Sequence, residues 1–233
     1  MKLLIYNPNT TQAMTAGFMP AALAAASAGT SVIGETAARG PASIEGYYDE
    51  ALCVPPMLER FADLGEEGFD AAIVACFDDT GLDAARSLLS LPVIGLCQSA
   101  AQVASTVCER VAIVTTMPQS IPPLERLMGS YLGPDRQAGV LASGIPVLDL
   151  EHPSEATLAK LFATCEKALS RADGIILGCA GLSQLASDIS ERFGVPVIEP
   201  IAASIKMAET VVGLGLSTSK SGGWTPPRDK PRT

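Results

Sequence analysis

Short apolar runs, each followed by a polar or amphipathic stretch, recur along this chain with the spacing of a parallel sheet. Leu3–Tyr6 ends on Asn7-Pro8. Thr30–Ile33 follows an Ala-rich helix that Gly29 is expected to close. Ala71–Ala75 follows a helix expected from about Ala51 to Glu67, and Pro92–Leu96 one from about Thr80 to Leu89. The second half repeats the order with runs at Val111–Val114, Pro146–Leu150, Gly174–Leu177 and Pro196–Ile198. Continuous Val/Ile/Leu runs separated by helices of roughly 10–15 residues are the signature of an α/β sheet covered on both faces.

The halves match in detail. Asp70-Ala-Ala-Ile-Val-Ala-Cys76 aligns with Asp173-Gly-Ile-Ile-Leu-Gly-Cys179, with the Cys six residues after the Asp in both. Pro-Val-Ile then follows, Pro92 16 residues past Cys76 and Pro196 17 past Cys179. Lys2-Leu-Leu-Ile-Tyr-Asn-Pro sets against Arg110-Val-Ala-Ile-Val-Thr-Thr. An internal duplication of a little over 100 residues predicts two lobes related by a pseudo-two-fold axis.

Composition adds limits. With 233 residues, 48% of them hydrophobic, the chain can bury a sizeable core. A net charge of −9 and no basic stripe argue against a nucleic-acid partner. The one local basic excess is Lys220, Arg228, Lys230 and Arg232, spread among Gly and Pro in what reads as a solvated tail. The first apolar run is too short for a signal peptide. No stretch approaches the ~20 apolar residues of a membrane span. A cytoplasmic protein with no membrane partner is therefore expected, its six cysteines (53, 76, 97, 108, 165 and 179) reduced. No Cys-x-x-Cys pair occurs, and a single His leaves no zinc-site spacing.

Ligands of parallel α/β sheets bind beyond the carboxyl ends of the strands. Those ends carry Asn7–Thr11, Cys76–Thr80, Thr115-Thr116 and Cys179–Gly181, and a cleft between the lobes would collect all four. Each Cys falls between a strand end and a helix start, where unpaired N–H groups and the helix dipole are expected to pull a thiol down toward neutrality. One thiolate can then remove a proton from a carbon acid while the opposite thiol delivers one to the other face. Donors for the resulting enolate are expected from the backbone of Phe77, Asp78, Ala180 and Gly181 and from Asn9, Thr115 and Thr116. No cofactor and no metal is called for, and there is no P-loop or G-x-G-x-x-G after a strand.

A lone buried Cys is ordinarily a small hydrophobe, and that is the reading for Cys53, Cys97, Cys108 and Cys165. Cys76 and Cys179 differ in standing at equivalent positions of the repeat. Asp78 and Asp79 read equally as helix caps or ligand contacts. His152, before Pro153, reads as a solvated loop residue.

At these residues the sequence resembles the Asp/Glu/hydantoin racemase superfamily, and within it the hydantoin and allantoin racemases. The resemblance is carried by Asn7–Thr11, Gly40–Gly46, Ala75–Arg86, Val114–Thr116, Gly178–Leu182, Gly194–Ile198 and Leu216–Lys220. It implies two pseudo-symmetric Rossmann-like lobes, each with a four-stranded parallel sheet flanked by helices, and an active site in the cleft between them. The last helix would return to the first lobe, which then comprises 1–98 with 204–233, the second being 99–203. Cys76 and Cys179 would be the catalytic pair of a cofactor-independent racemase. Asn9, the turn from Ser43 and Ile44 to Gly46, Phe77, Asp78, Thr115, Thr116, Ala180 and Gly181 would contact substrate. Family members form homo-oligomers, commonly tetramers or hexamers.

The chain departs from hydantoin racemases, which often have Pro, at Thr80. Related arylmalonate decarboxylases keep only the second Cys, so Cys76 favours racemisation. Amino-acid racemases of the superfamily usually carry Asn-Thr after the first Cys and Thr-His after the second. Phe77-Asp78 and Ala180-Gly181 in those places favour a small neutral cyclic ureide, inverted at C5. Decarboxylation or isomerisation of a related carbon acid, or ligand binding without catalysis on the same scaffold, are the competing readings.

Overall fold

The computed structural model describes residues 1–150 and 152–230. The elements in chain order are β1 (Lys2–Asn7), α1 (Gln12–Ala25), β2 (Ser31–Thr36), α2 (Tyr47–Ala62), β3 (Ala71–Val74), α3 (Leu82–Leu88), β4 (Val93–Gly95) and α4 (Leu96–Val107). They continue with β5 (Val111–Thr115), α5 (Ile121–Tyr131), β6 (Gln137–Ala142), α6 (Glu155–Leu169), β7 (Gly174–Leu177), α7 (Ala186–Phe193), β8 (Val197–Ile198) and α8 (Pro200–Gly213). These build two four-stranded parallel sheets with the same topology, β2-β1-β3-β4 and β6-β5-β7-β8.

The central strands β1, β3, β5 and β7 are almost wholly buried, and this is why they read as unbroken apolar runs. The sequence repeat has a hydrogen-bonding cause. Asp70, just before β3, accepts the Lys2 N–H at 2.7 Å; Asp173, just before β7, accepts those of Glu109 and Arg110 at 2.8 and 2.9 Å. The carbonyls of Pro92 and Pro196 take the N–H groups of Ala72 and Ile175, both at 3.0 Å. Each matched residue thus registers a strand against its neighbour. α4 and α8, the helices after the last strand of each sheet, pack on one another; α8 also packs on α1, β3 and β4, and α4 also touches α5, β7 and β8.

Three expectations about these elements are corrected. The sixth strand is Gln137–Ala142, whereas Val147–Leu150, within the expected run Pro146–Leu150, is a 3₁₀ turn. β6 is a half-exposed edge strand with a register shift opposite Val111 and Ala112, so its apolar signal is weak. The first helix ends at Ala25, and Gly29 (φ 86°) serves the later turn into β2. The second helix runs from Tyr47 to Ala62, because the chain breaks at Gly46 (φ 144°) and ends in turns before Gly68.

The C-terminal segment is not wholly solvated. Lys220 Nζ donates to the carbonyls of Arg86 and Ser87 at 2.5 and 3.3 Å, covering the open end of α3. Trp224 Nε1 donates to Asp83 at 3.1 Å and its ring lies under the Arg86 guanidinium, 5.0 Å from the centroid. Arg228 and Lys230 are exposed, and Arg232 lies outside the described residues. All six cysteines are free thiols. Among the described residues no helix is long and apolar enough to cross a membrane.

Candidate active site

Two turns at equivalent strand ends present the thiols. After β3 the chain passes through Ala75 and Cys76 into a tight turn closed by Asp79 N–H to Cys76 C=O at 3.1 Å. Asp79 is at φ 48°, the one non-glycine residue in the left-handed region among the described residues, a conformation Asp tolerates better than most. Its carboxylate does not cap the following helix, α3. Oδ1 and Oδ2 accept the N–H groups of Cys97 and Gln98, both at 3.0 Å, in the first turn of α4, and Tyr131 OH donates to Oδ2 at 3.0 Å. The Cys76 turn is thereby held to the fourth strand's helix and to α5. A Cβ at Gly95 would collide with this carboxylate, so only glycine fits there.

After β7 the chain passes through Gly178 to Cys179, which opens a 3₁₀ turn over Ala180–Leu185. Ser183 Oγ in that turn donates to Glu199 at 2.6 Å, and Glu199 caps α8 by accepting from Ile201 and Ala202 at 2.8 and 2.6 Å. Both Cys turns are therefore tied to the helix after the last strand of their sheet, with different residues making the tie. Gly178 lets β7 end against β5: a Cβ there would sit 2.7 Å from Ile113 Cγ2 and 2.9 Å from Thr115 Cβ.

Both cysteines line one narrow cavity, about 40 Å³ in volume, together with Asn9, Met14, Ile44, Phe77, Asp78, Thr116, Ser120, Val147 and Ala180. Of the residues expected to surround a substrate, Asn9, Ile44, Phe77, Asp78, Thr116 and Ala180 are brought together there. Ser43, Thr115 and Gly181 are not on its wall. Thr115 Oγ1 donates to Gly178 C=O at 3.1 Å, a bond that fixes β5 to β7. Ser43 Oγ donates to Glu45 at 3.3 Å. Gly181 lines an adjoining recess, and His152, exposed as expected, lies on that recess too.

The segment before α2 closes the cavity. Pro41 C=O accepts from Thr10 N–H at 2.9 Å and Ala42 C=O from Thr11 Oγ1 at 2.8 Å. Glu45 Oε1 crosses to the other lobe and accepts the Val147 N–H at 3.0 Å. Asn7, at the strand end but given no role of its own by the sequence, is the scaffold beneath: its amide donates to Asn9 Oδ1 and Thr15 Oγ1, both at 3.0 Å. Asn9 in turn donates from Nδ2 to Met14 Sδ at 3.5 Å.

The expected thiol acidity is reversed. Burial pushes Cys76 well above the ordinary thiol range, and Asp78 adds to it. Burial likewise raises Cys179, to about 11, with smaller contributions from Asp78 and Glu45. The hydrogen bonds to sulfur oppose these effects but are outweighed: Thr80 Oγ1, 3.4 Å from Cys76 Sγ, and the Asp78 N–H at Cys76, and the Gly181 N–H at Cys179. Those two backbone donors, expected to face an enolate, are turned onto the sulfurs. Asp78 itself is raised to about 7 by burial, then by Glu50 and Asp79. Asp79 is raised to about 6 by burial, against the pull of its hydrogen bonds.

Comparison with known proteins matches this architecture. The family model described as Asp/Glu/Hydantoin racemase covers residues 3–208. A hydantoin racemase of Rhizobium meliloti is 42% identical over 99% of this chain and 96% of its own. The allantoin racemase of Klebsiella pneumoniae superposes with a TM-score of 0.95 at 37% identity, covering 100% of this chain and 96% of that one. The allantoin racemase of Pseudomonas fluorescens does so at 0.91 and 34%, over the full length of both chains. With two like sheets, a cavity walled by both strand-end thiols, and these full-length similarities, the chain belongs to the Asp/Glu/hydantoin racemase family and is an isomerase of the racemase type.

Proposed function

We propose that this racemase inverts C5 of 5-substituted hydantoins or of allantoin by a two-base route, with Cys76 and Cys179 as the acid/base pair. The carrying observation is that the two thiols, from equivalent turns of a duplicated fold, line one cavity. Proton removal from one face and delivery to the other require two groups facing each other across the substrate, and equivalent turns of a duplicated fold support that reading. The relatives described as hydantoin and allantoin racemases support the substrate class.

The C5–H of a hydantoin is acidified by the adjoining ring carbonyl, so its removal leaves an enolate. A thiolate in this cavity is a strong base because burial disfavours its charge, and the same burial excludes competing water. The Asp78 and Gly181 N–H groups hold the sulfurs in place through both protonation states. Asn9 and Thr116, both on the cavity wall, serve the ring carbonyls in this reading, and the Asp78 carboxylate, also on the wall, accepts a ring N–H. An acidic residue on the wall that carries both thiols disfavours an anionic substrate and admits a neutral ureide.

Circular dichroism or polarimetry on single enantiomers, with deuterium uptake at C5 in D2O, tests this. Wild type is expected to lose optical activity without mass change in water and to gain deuterium in D2O. Cys76→Ser and Cys179→Ser are each expected to abolish racemisation. Full racemisation by either variant, or no exchange with any hydantoin or allantoin, refutes the proposal.

A further inference from the structure

The cavity that holds the thiols is too small for its proposed substrate. About 40 Å³ is room for only a few waters, whereas sites for drug-sized ligands run to roughly 300–1,000 Å³. A hydantoin ring fills such a space, and a C5 substituent has to go elsewhere.

A recess of about 440 Å³ adjoins it. Met14, Val147 and Ala180 line both spaces and form the partition between them. The recess is bounded by the first turns of α1 (Ala13, Ala16, Gly17 and Phe18) and, from the second lobe, by Leu150, Gly181 and Gln184. Among the described residues its wall is mostly aliphatic, with no acidic or basic side chain other than His152. Gln184 Nε2 donates to Gly17 C=O at 3.1 Å, joining the two lobes at this wall.

We infer that this recess receives the C5 substituent of the substrate, that it suits apolar and aromatic groups, and that Met14 is the gate between ring site and recess. The inference rests on the racemase reading above. Met14 is suited to the role because an unbranched thioether swings at small cost and fits varied shapes. Its sulfur accepts an Asn9 Nδ2–H at 3.5 Å. Displacing Met14 therefore opens the recess and releases an amide N–H for a ring carbonyl. Entry of the substituent is coupled to completion of the ring site.

The test compares kcat/KM for 5-benzylhydantoin and 5-methylhydantoin in wild type, Gly17→Leu and Met14→Ala. Gly17 lies inside α1 with ordinary helical backbone, so Leu raises helix propensity there. Its Cβ would meet Gln184 Nε2 at 3.3 Å, a movable side-chain end on the recess wall. Filling the recess is expected to lower the benzyl-to-methyl ratio by about tenfold or more, the scale at which an apolar pocket discriminates. Widening the gate with Met14→Ala is expected to raise that ratio. If wild type turns over both substrates and neither variant moves the ratio beyond about twofold, the recess is overturned while the racemase reading stands. If wild type turns over neither, nor any other hydantoin, both fall.

Discussion

Replacing Asp78 with Asn should make this protein more stable above neutrality, even though it alters a residue on the cavity wall. Asp78 is removed from water by the cavity wall and faces Glu50 and Asp79, so its carboxyl is raised from 3.8 to about 7. A carboxyl that holds its proton more tightly when folded favours the folded state at low pH. Stability is unaffected below about pH 4, declines as the pH rises toward about 7, and is level above that. At about 1.4 kcal/mol for each tenfold change in proton affinity, the full displacement is worth about 4 kcal/mol. Solvent in the cavity screens part of it, so the expected gain from Asp78→Asn at pH 8 is about 2–4 kcal/mol. That is a large fraction of a typical 5–15 kcal/mol stability. Urea unfolding followed by circular dichroism between pH 4 and pH 8.5 measures it. The gap between variant and wild type should vanish near pH 4, open between about 4 and 7, and stay constant above. A gap independent of pH, or one that widens toward acid, refutes the argument.

Two further outcomes follow from the geometry. With Cys179 at about 11 and Cys76 also raised, kcat/KM should climb steadily with pH between 7 and 9, at a slope of about one on logarithmic axes; a plateau beginning below pH 8 would show that the resting thiols are more acidic than their burial implies. Gly178→Ala should lower stability by about 1–3 kcal/mol through overpacking against Ile113 and Thr115, and an unchanged urea midpoint would contradict the close packing of β7 on β5.

The two sheets were legible because central parallel strands are buried on both faces and leave continuous apolar runs. The Asp-to-Cys repeat was legible because Asp70 and Asp173 make equivalent register bonds, each in its own half. β6 was not, because a half-exposed edge strand carries little apolar signal and Pro146–Leu150 offered a better imitation. The site was legible as far as the strand ends that form its wall. Met14, Ser120 and Val147 were hidden because they reach the cavity from neighbouring segments and no strand-end rule points to them. Asp79 was readable as a cap, but its partners lie 18 and 19 residues along the chain, in another helix. The acidity of the thiols ran opposite to expectation because helix-end fields are modest beside the cost of burying a charge.

The two thiol turns share Asp78, which acts on both sulfurs, but differ in their other neighbours. Phe77 and Thr80 stand beside one sulfur, while Ala180, Gly181 and a distant Glu45 stand beside the other. Enantiomers in an achiral solvent have equal free energies, so the equilibrium constant of a racemisation is unity. The Haldane relation then requires kcat/KM to be identical in the two directions, however different the two sulfurs are. The inequality of the turns can appear only as a compensated split: the enantiomer bound more tightly is turned over more slowly by the same factor. Tuning one turn by mutation can shift that split and the common rate, but can never give this duplicated scaffold a preferred hand at equilibrium.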